Sequence, residues 1–313
     1  MTGKVVRSTG SWYAVRMEDG SILDCRIKGK FRIQGIRSTN PIAVGDIVEV
    51  EPEDENGVIT EIHDRTNYIV RRSVNLSKKT HILAANLDQA ILVTTVAQPK
   101  TLYGFIDRFL ATCEAYDVKP VMVFNKIDIY NEEQLEELEY MKAAYGGGAG
   151  YDYIETSATE GVNLDKFEEL LIDKTSLIAG HSGVGKTTLI NAVEPDLDLR
   201  TNRISDAHGQ GQHTTTFAEM FPLTKGGDIV DTPGIRGFGL IDMEESEIGD
   251  YFPEIFRLKG DCRFNNCLHL EEPGCAVKEA LDEGALAPTR YQSYFWMVTG
   301  NEDDNPYRQD NYA

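Results

Sequence analysis

Gly180-His181-Ser182-Gly183-Val184-Gly185-Lys186-Thr187 decides the fold of this chain, and it does so because of what precedes it. The octapeptide fits G-x-x-x-x-G-K-[ST], a glycine-rich turn whose backbone amides cradle phosphates ahead of a helix. Well upstream stands Asn125-Lys126-Ile127-Asp128, an N-K-x-D pattern suited to guanine. The Asp128 carboxylate can accept hydrogen bonds from guanine N1–H and the exocyclic amine, whereas adenine presents an unprotonated N1 there. A GTP-binding domain ordinarily carries its P-loop first and its base reader last. The reversed order implies an intact nucleotide site built from a circularly permuted chain. Such a permutation is physically reasonable, because ligand-binding loops of an open α/β sheet gather at the carboxyl ends of its strands in whatever order these arrive.

The remaining fragments fit one rotation. Ser157-Ala158, after Thr156, reads as a second guanine loop whose backbone amides face guanine O6. His213-Thr214-Thr215-Thr216 occupies the place of the first switch, and Asp231-Thr232-Pro233-Gly234 that of the Mg²⁺/γ-phosphate loop. In this reading Lys186 serves the β- and γ-phosphates, and the Thr187 hydroxyl ligates Mg²⁺. Asp231 holds the metal through water, Thr214 or Thr215 completes its shell, and Gly234 offers its amide to the γ-phosphate. Ile235 follows Gly234, where many GTPases carry a glutamine that orients water. An aliphatic side chain cannot do that, so His213, beside the switch threonines, is the candidate to orient the attacking water.

The flanking sequence divides the chain into three parts. Residues 1–68 hold short β-branched and aromatic runs at Ser11–Arg16, Ile22–Arg26, Ile47–Glu51 and Val58–Ile62, separated by turn residues. A small closed barrel of the OB type is expected, and such barrels bind RNA. Trp12, Tyr13 and Phe31 could stack bases. Residues 69–240 alternate buried strands with helices. Gln89–Val96 and Val121–Phe124 read as parallel strands, Phe105–Tyr116 as an amphipathic helix, and Asn131 as the cap of the next helix. The glycine run 146–150 reads as a flexible loop. Residues 241–313 read as mainly helical, with an acidic tail after Asn301.

Charge separates these parts. The whole chain carries a formal net charge of −20, which argues against indiscriminate nucleic-acid binding. Yet Arg26, Lys28, Lys30, Arg32 and Arg37 follow one another with no acidic residue between them, the one clear basic footprint for RNA. No apolar run reaches the roughly 18 residues of a membrane helix, and no signal-peptide core is evident. Five cysteines do not suggest a secreted disulfide framework. A cytoplasmic monomer is expected. Cys262-x4-Cys267-x-His269-x5-Cys275 supplies three thiolates and an imidazole, a closed tetrahedral set for one structural Zn²⁺. Cys25 and Cys113 read as packing residues.

With the barrel before and the Cys/His cluster after, the chain resembles the bacterial circularly permuted small-ribosomal-subunit-dependent GTPase A family. The resemblance rests on Asn125–Asp128, Gly180–Thr188, His213–Thr216, Asp231–Gly234 and the cysteine cluster. It implies a late-acting assembly factor that binds small-subunit rRNA and hydrolyses GTP to GDP when docked there. It points to the same His213 for catalysis. A GTP-regulated binding module for a non-ribosomal RNA or protein partner is the alternative.

Overall fold

The computed structural model describes residues 1–27, 41–72, 80–197, 218–231 and 243–300. Lys28, Lys30, Phe31, Arg32, Arg37, His213, Thr214, Thr215 and Gly234 lie outside the described residues.

Five strands make the first unit: β1 (Thr2–Ser8), β2 (Tyr13–Met17), β3 (Ile22–Ile27), β4 (Ile47–Glu53) and β5 (Asn56–Ile62). β3 pairs in parallel with β5, β5 with β4 and β4 back with β1, so the sheet closes into the expected barrel. Val5, Val15, Cys25, Val48, Val50 and Ile59 fill it from alternate positions, as the two-residue strand period requires. The strand expected from Ser11 starts later, because Thr9 N–H and its hydroxyl both donate to Trp12 O and close a tight turn. This turn also divides the aromatic pair. Tyr13 is only 1% exposed and belongs to the core, so it cannot stack a base, whereas Trp12 is 44% exposed.

A hairpin absent from the sequence reading, β6 (Tyr68–Arg72) with β7 (Thr80–Ala85), links the barrel to the second unit. There β8 (Gln89–Thr94), β9 (Pro120–Phe124), β10 (Asp152–Glu155), β11 (Thr175–Ala179), β12 (Glu219–Pro222) and β13 (Asp228–Asp231) form a sheet in the order β10-β9-β8-β11-β13-β12. All but β12 are parallel. Their continuous burial explains the unbroken apolar runs. Helices α1 (Tyr103–Ala115), α2 (Glu132–Met141), α3 (Leu164–Leu171) and α4 (Lys186–Val193) connect them. Asn131 caps α2 in a reciprocal box with Gln134.

The glycine run departs from expectation. Lys142–Ala149 is a wide π-helical turn, and a Cβ on Gly146 would lie 2.4 Å from the Tyr153 ring. Glycine here permits close packing, and the Gly148 carbonyl accepts a hydrogen bond from the Arg257 guanidinium.

The last unit carries α5 (Pro253–Leu258), α6 (Ala276–Asp282) and α7 (Pro288–Thr299). It sits on α1 through Arg290, which is 1% exposed. Arg290 donates to Glu254 at 2.6 and 3.0 Å and to Asp107 of α1 at 2.8 Å. Among the described residues no helix is long and apolar enough to cross a membrane.

Candidate nucleotide site and metal centre

Adjacent parallel strands end side by side, so β9, β10 and β11 bring Asn125, Thr156 and Gly180 to one edge of the sheet despite their order in the chain. Asn125 ties these loops together. Its side chain is 1% exposed, donates to Val184 O of the P-loop at 2.8 Å, and accepts from the Thr156 hydroxyl at 3.0 Å. The fit is close, since a Cβ on Gly185 would lie 2.4 Å from Asn125 Nδ2. The Tyr130 hydroxyl completes the brace, donating to Asn125 O at 2.6 Å.

Lys126 stands in the left-handed region and donates to Gln98 O at 2.6 Å. Asp128 is exposed at the rim beyond Ile127, and its carboxylate accepts from the Thr159 hydroxyl at 3.4 Å. Ser157 differs in one respect from the sequence reading. Its N–H donates to Val162 O at 3.2 Å and its hydroxyl accepts from Glu160 N–H, so the amide expected to face guanine is already engaged. Neither Gln98 nor Thr159 carries a motif that would have singled it out.

The P-loop itself is built by exclusion. A Cβ on Gly180, at φ +137°, would sit 2.2 Å from Val93 O, so only glycine turns the chain out of β11. Val184 is fully buried and anchors the loop in the core with Ile91, Val93 and Leu189. Ser182 and Gly183 are exposed, Thr187 is buried at the first turn of α4, and Thr188 points outward. The His181 ring packs on Phe105 of α1 at 4.0 Å between centroids. Lys186 Nζ donates to Gly180 O and His181 O, both at 2.7 Å. Burial pulls its pKa down to about 8, with the Asp231 charge acting in the opposite direction. Asp231 ends β13 opposite Ile178 of β11, two residues before the P-loop starts. An ammonium held by two backbone carbonyls at the N-terminus of a helix, next to the exposed Ser182 and Gly183, is built to receive phosphate oxygens.

The second site lies in the last unit. The candidate ligand atoms of Cys262, Cys267, His269 and Cys275 all lie within 4.8 Å of one another. His269 Nδ1 is 3.5 Å from Cys262 Sγ and 3.4 Å from Cys275 Sγ, and the two sulfurs are 3.9 Å apart. Tetrahedral bonds of about 2.3 Å to sulfur and about 2.0 Å to nitrogen give edges of about 3.8 and about 3.5 Å, which these distances match. The loop is fixed from outside: Tyr291 and Tyr294 hydroxyls donate to His269 O and Leu268 O at 2.7 Å. The Glu272 carboxylate accepts from the N–H groups of Leu268, Leu270 and Glu271. The four residues could therefore hold a metal ion.

The barrel's basic run is represented by Arg26 alone among the described residues, and it is paired with Glu53 at 2.6 Å on the surface.

Comparison with known proteins agrees with this geometry. The family described as RsgA GTPase matches residues 62–241, and the one described as RsgA N-terminal domain matches residues 2–59. A small ribosomal subunit biogenesis GTPase RsgA of Christiangramia forsetii is 57% identical, covering 100% of this chain and 99% of that protein. Its counterpart in Flavobacterium johnsoniae is 53% identical, with 100% and 97% covered. Among solved structures, YjeQ from Thermotoga maritima superposes with a TM-score of 0.76 at 36% identity, covering 96% of this chain and 97% of that one. YloQ, described as a circularly permuted GTPase, superposes with a TM-score of 0.73 at 32% identity, with 98% and 96% covered.

Proposed function

The chain belongs to the RsgA GTPase family and is a GTP hydrolase, and from that premise we propose that it acts late in small-ribosomal-subunit assembly. It docks on the subunit, contacts its rRNA and hydrolyses GTP to GDP and phosphate there. The observation that carries this reading is the bond from Asn125 to Val184 O. It joins the base reader to the phosphate cradle across the permutation, so the fragments form one site.

Each residue then has a task. Asp128 selects guanine, with Asn125 and Lys126 bracing its loop and Ala158 supplying the amide for O6. The amides from Ser182 to Thr187 take the phosphates, and Lys186 releases its carbonyl partners for the β- and γ-phosphates. Thr187 and Asp231 are the residues that would hold Mg²⁺, which neutralises charge on the transferring phosphate. Thr214 or Thr215, Gly234 and His213 complete the site in the roles their sequence positions give them. The metal of the last unit is Zn²⁺ with a structural role. Arg26, Lys28, Lys30, Arg32 and Arg37 lead the contact with rRNA, and Trp12, the exposed member of the Trp12–Tyr13 pair, joins Phe31 in stacking bases. Residues 1–68, 69–240 and 241–313 are the working units, and the monomer acts in the cytoplasm, where assembling subunits are found.

Sedimentation with purified small subunits tests this. The chain should travel with them in a non-hydrolysable GTP analogue and stay behind in GDP. Equal behaviour in both states, or no acceleration of hydrolysis by subunits, would refute it.

A further inference from the structure

Besides its contact with the β6–β7 hairpin, the barrel meets the nucleotide-binding sheet at a second hairpin and grips it at both ends. β12 and β13 form it, with Pro222 opposite Asp228 at the turn and Glu219 opposite Asp231 at the open end. At the turn, Arg16 of β2 donates to both carboxylate oxygens of Asp228, each at 2.7 Å. Lys4 of β1 lies 3.6 Å from the same carboxylate. Asp228 is 5% exposed, so this two-bond pair is shielded from water and its geometry is demanding. At the open end, Arg7 of β1 is the register partner of Glu219 and lies 3.7 Å from its carboxylate. Register partners on neighbouring strands point to the same face. Arg7, Glu219 and Asp231 therefore form one rung that runs from the barrel to the nucleotide site.

The rest of the seam makes these side chains matter. β1 and β12 share a single register pair, so the backbone ladder at this seam is one rung deep, and the other backbone bridge from the barrel, Val44 to Ala84, reaches the β6–β7 hairpin and not β12 or β13. Apolar contact through Val6, Ala14, Met220 and Val230 resists separation but gives no direction. The ionic contacts fix the angle at which the hairpin meets the barrel. Asp228 and Asp231 are three residues apart on one strand, about 10 Å at about 3.3 Å per residue. A paired strand of that length moves as a unit, so a shift imposed at Asp228 is delivered at Asp231.

We propose that Arg16 and Arg7 are positioning residues for GTP hydrolysis, which act through Asp228 and Glu219 to make the position of Asp231 depend on how the barrel is docked. This rests on the reading that the barrel contacts rRNA. The Arg7–Glu219 pair is about half exposed and contributes little to stability, so its use is directional. The Arg16–Asp228 pair is the stronger of the two.

The test compares wild type with Asp228→Asn, Arg16→Gln, the double variant and Glu219→Gln, measuring hydrolysis with and without small subunits across a subunit titration. For Asp228→Asn the subunit-saturated kcat should fall about tenfold, the size of an ordinary coupling between sites. Basal hydrolysis and the subunit concentration at half-saturation should stay within about twofold. The double variant should be no worse than either single one, because the two residues act as a pair. Glu219→Gln, an isosteric change at a half-exposed side chain, should lower the saturated kcat by a smaller factor in the same manner. The proposal is overturned if stimulation is kept in Asp228→Asn and Glu219→Gln, if basal and stimulated rates fall together, or if only the half-saturation concentration rises. Wild-type protein that is not stimulated at all would instead refute the ribosomal reading, and the proposal would fall with it.

Discussion

Replacing Arg290 by Met should loosen the last unit from the GTPase sheet, and by more at high pH than at low. Arg290 is 1% exposed and joins Glu254 of its own unit to Asp107 of α1, with the rings of Phe252, Tyr145 and Tyr151 at 4.5, 5.4 and 5.8 Å from the guanidinium carbon. Burial works against its charge, but Glu254 and Asp107 outweigh that and hold the guanidinium protonated. Met fills much of the volume and leaves two carboxylates buried without their cation. Removing one partner of a buried pair costs about 3–5 kcal/mol. At about 2–4 °C per kcal/mol for a unit of 150–250 residues, the melting midpoint should drop by roughly 10 °C.

The pH dependence follows from Asp107. Burial raises its pKa, and Arg290 is the largest influence pulling it back down. A carboxyl whose folded pKa is raised favours the folded state below its unfolded pKa and loses that contribution as pH rises through the folded value. Without Arg290 the folded pKa climbs further, so the variant's deficit is largest above it and shrinks as acid neutralises Asp107. Thermal unfolding of wild type, Arg290→Met and Arg290→Lys near pH 8 and near pH 5 measures this. Lysine keeps the charge but cannot fork between two acids, and it should fall between the other two. A midpoint for Arg290→Met within about 2 °C of wild type at both pH values would show that the cluster does not hold the units together.

Three other outcomes are expected. GTP binding should take up a proton near pH 8.5, because phosphate oxygens restore the ammonium of Lys186, whose pKa without them is about 8. The uptake should vanish near pH 6.5, and calorimetry in buffers of different ionisation enthalpy reads it; uptake independent of pH would contradict the assignment. Asp128→Asn should weaken GTP binding and favour xanthine nucleotides, since the amide offers a donor to xanthine's carbonyl; an unchanged GTP-to-XTP preference would show that Asp128 does not read the base. Freshly purified protein should contain one zinc per chain, and chelation should unfold residues 243–300 with nucleotide affinity largely kept; a chain free of metal in thiol-protected preparations would refute the centre.

How much could be read without coordinates depended on whether the signal was local. The loops around Asn125 and Gly180 were legible because their chemistry demands fixed residue types at fixed spacing, and neighbouring strand ends then had no choice but to bring them together. The cysteine cluster was legible for the same reason. What stayed hidden was set by partners far away in the chain. Nothing near Arg290 announces that it pairs with Asp107 of α1, and nothing near Arg16 announces Asp228. The glycine run 146–150 read as a loose connection because its packing partner, Tyr153, and its hydrogen-bond donor, Arg257, come later in sequence. Trp12 and Tyr13 were indistinguishable as aromatics until the turn at Thr9–Trp12 fixed the strand phase, which sent one outward and the other into the barrel. The legible residues are those that meet the nucleotide and the metal. The hidden ones join the units to one another. Moving the chain ends put the barrel before β8 and the metal-binding unit after β13. The β12–β13 hairpin and α1 are places where those units attach. Long-range arginine–carboxylate pairs at these places supplement a backbone ladder that, between β1 and β12, is a single rung.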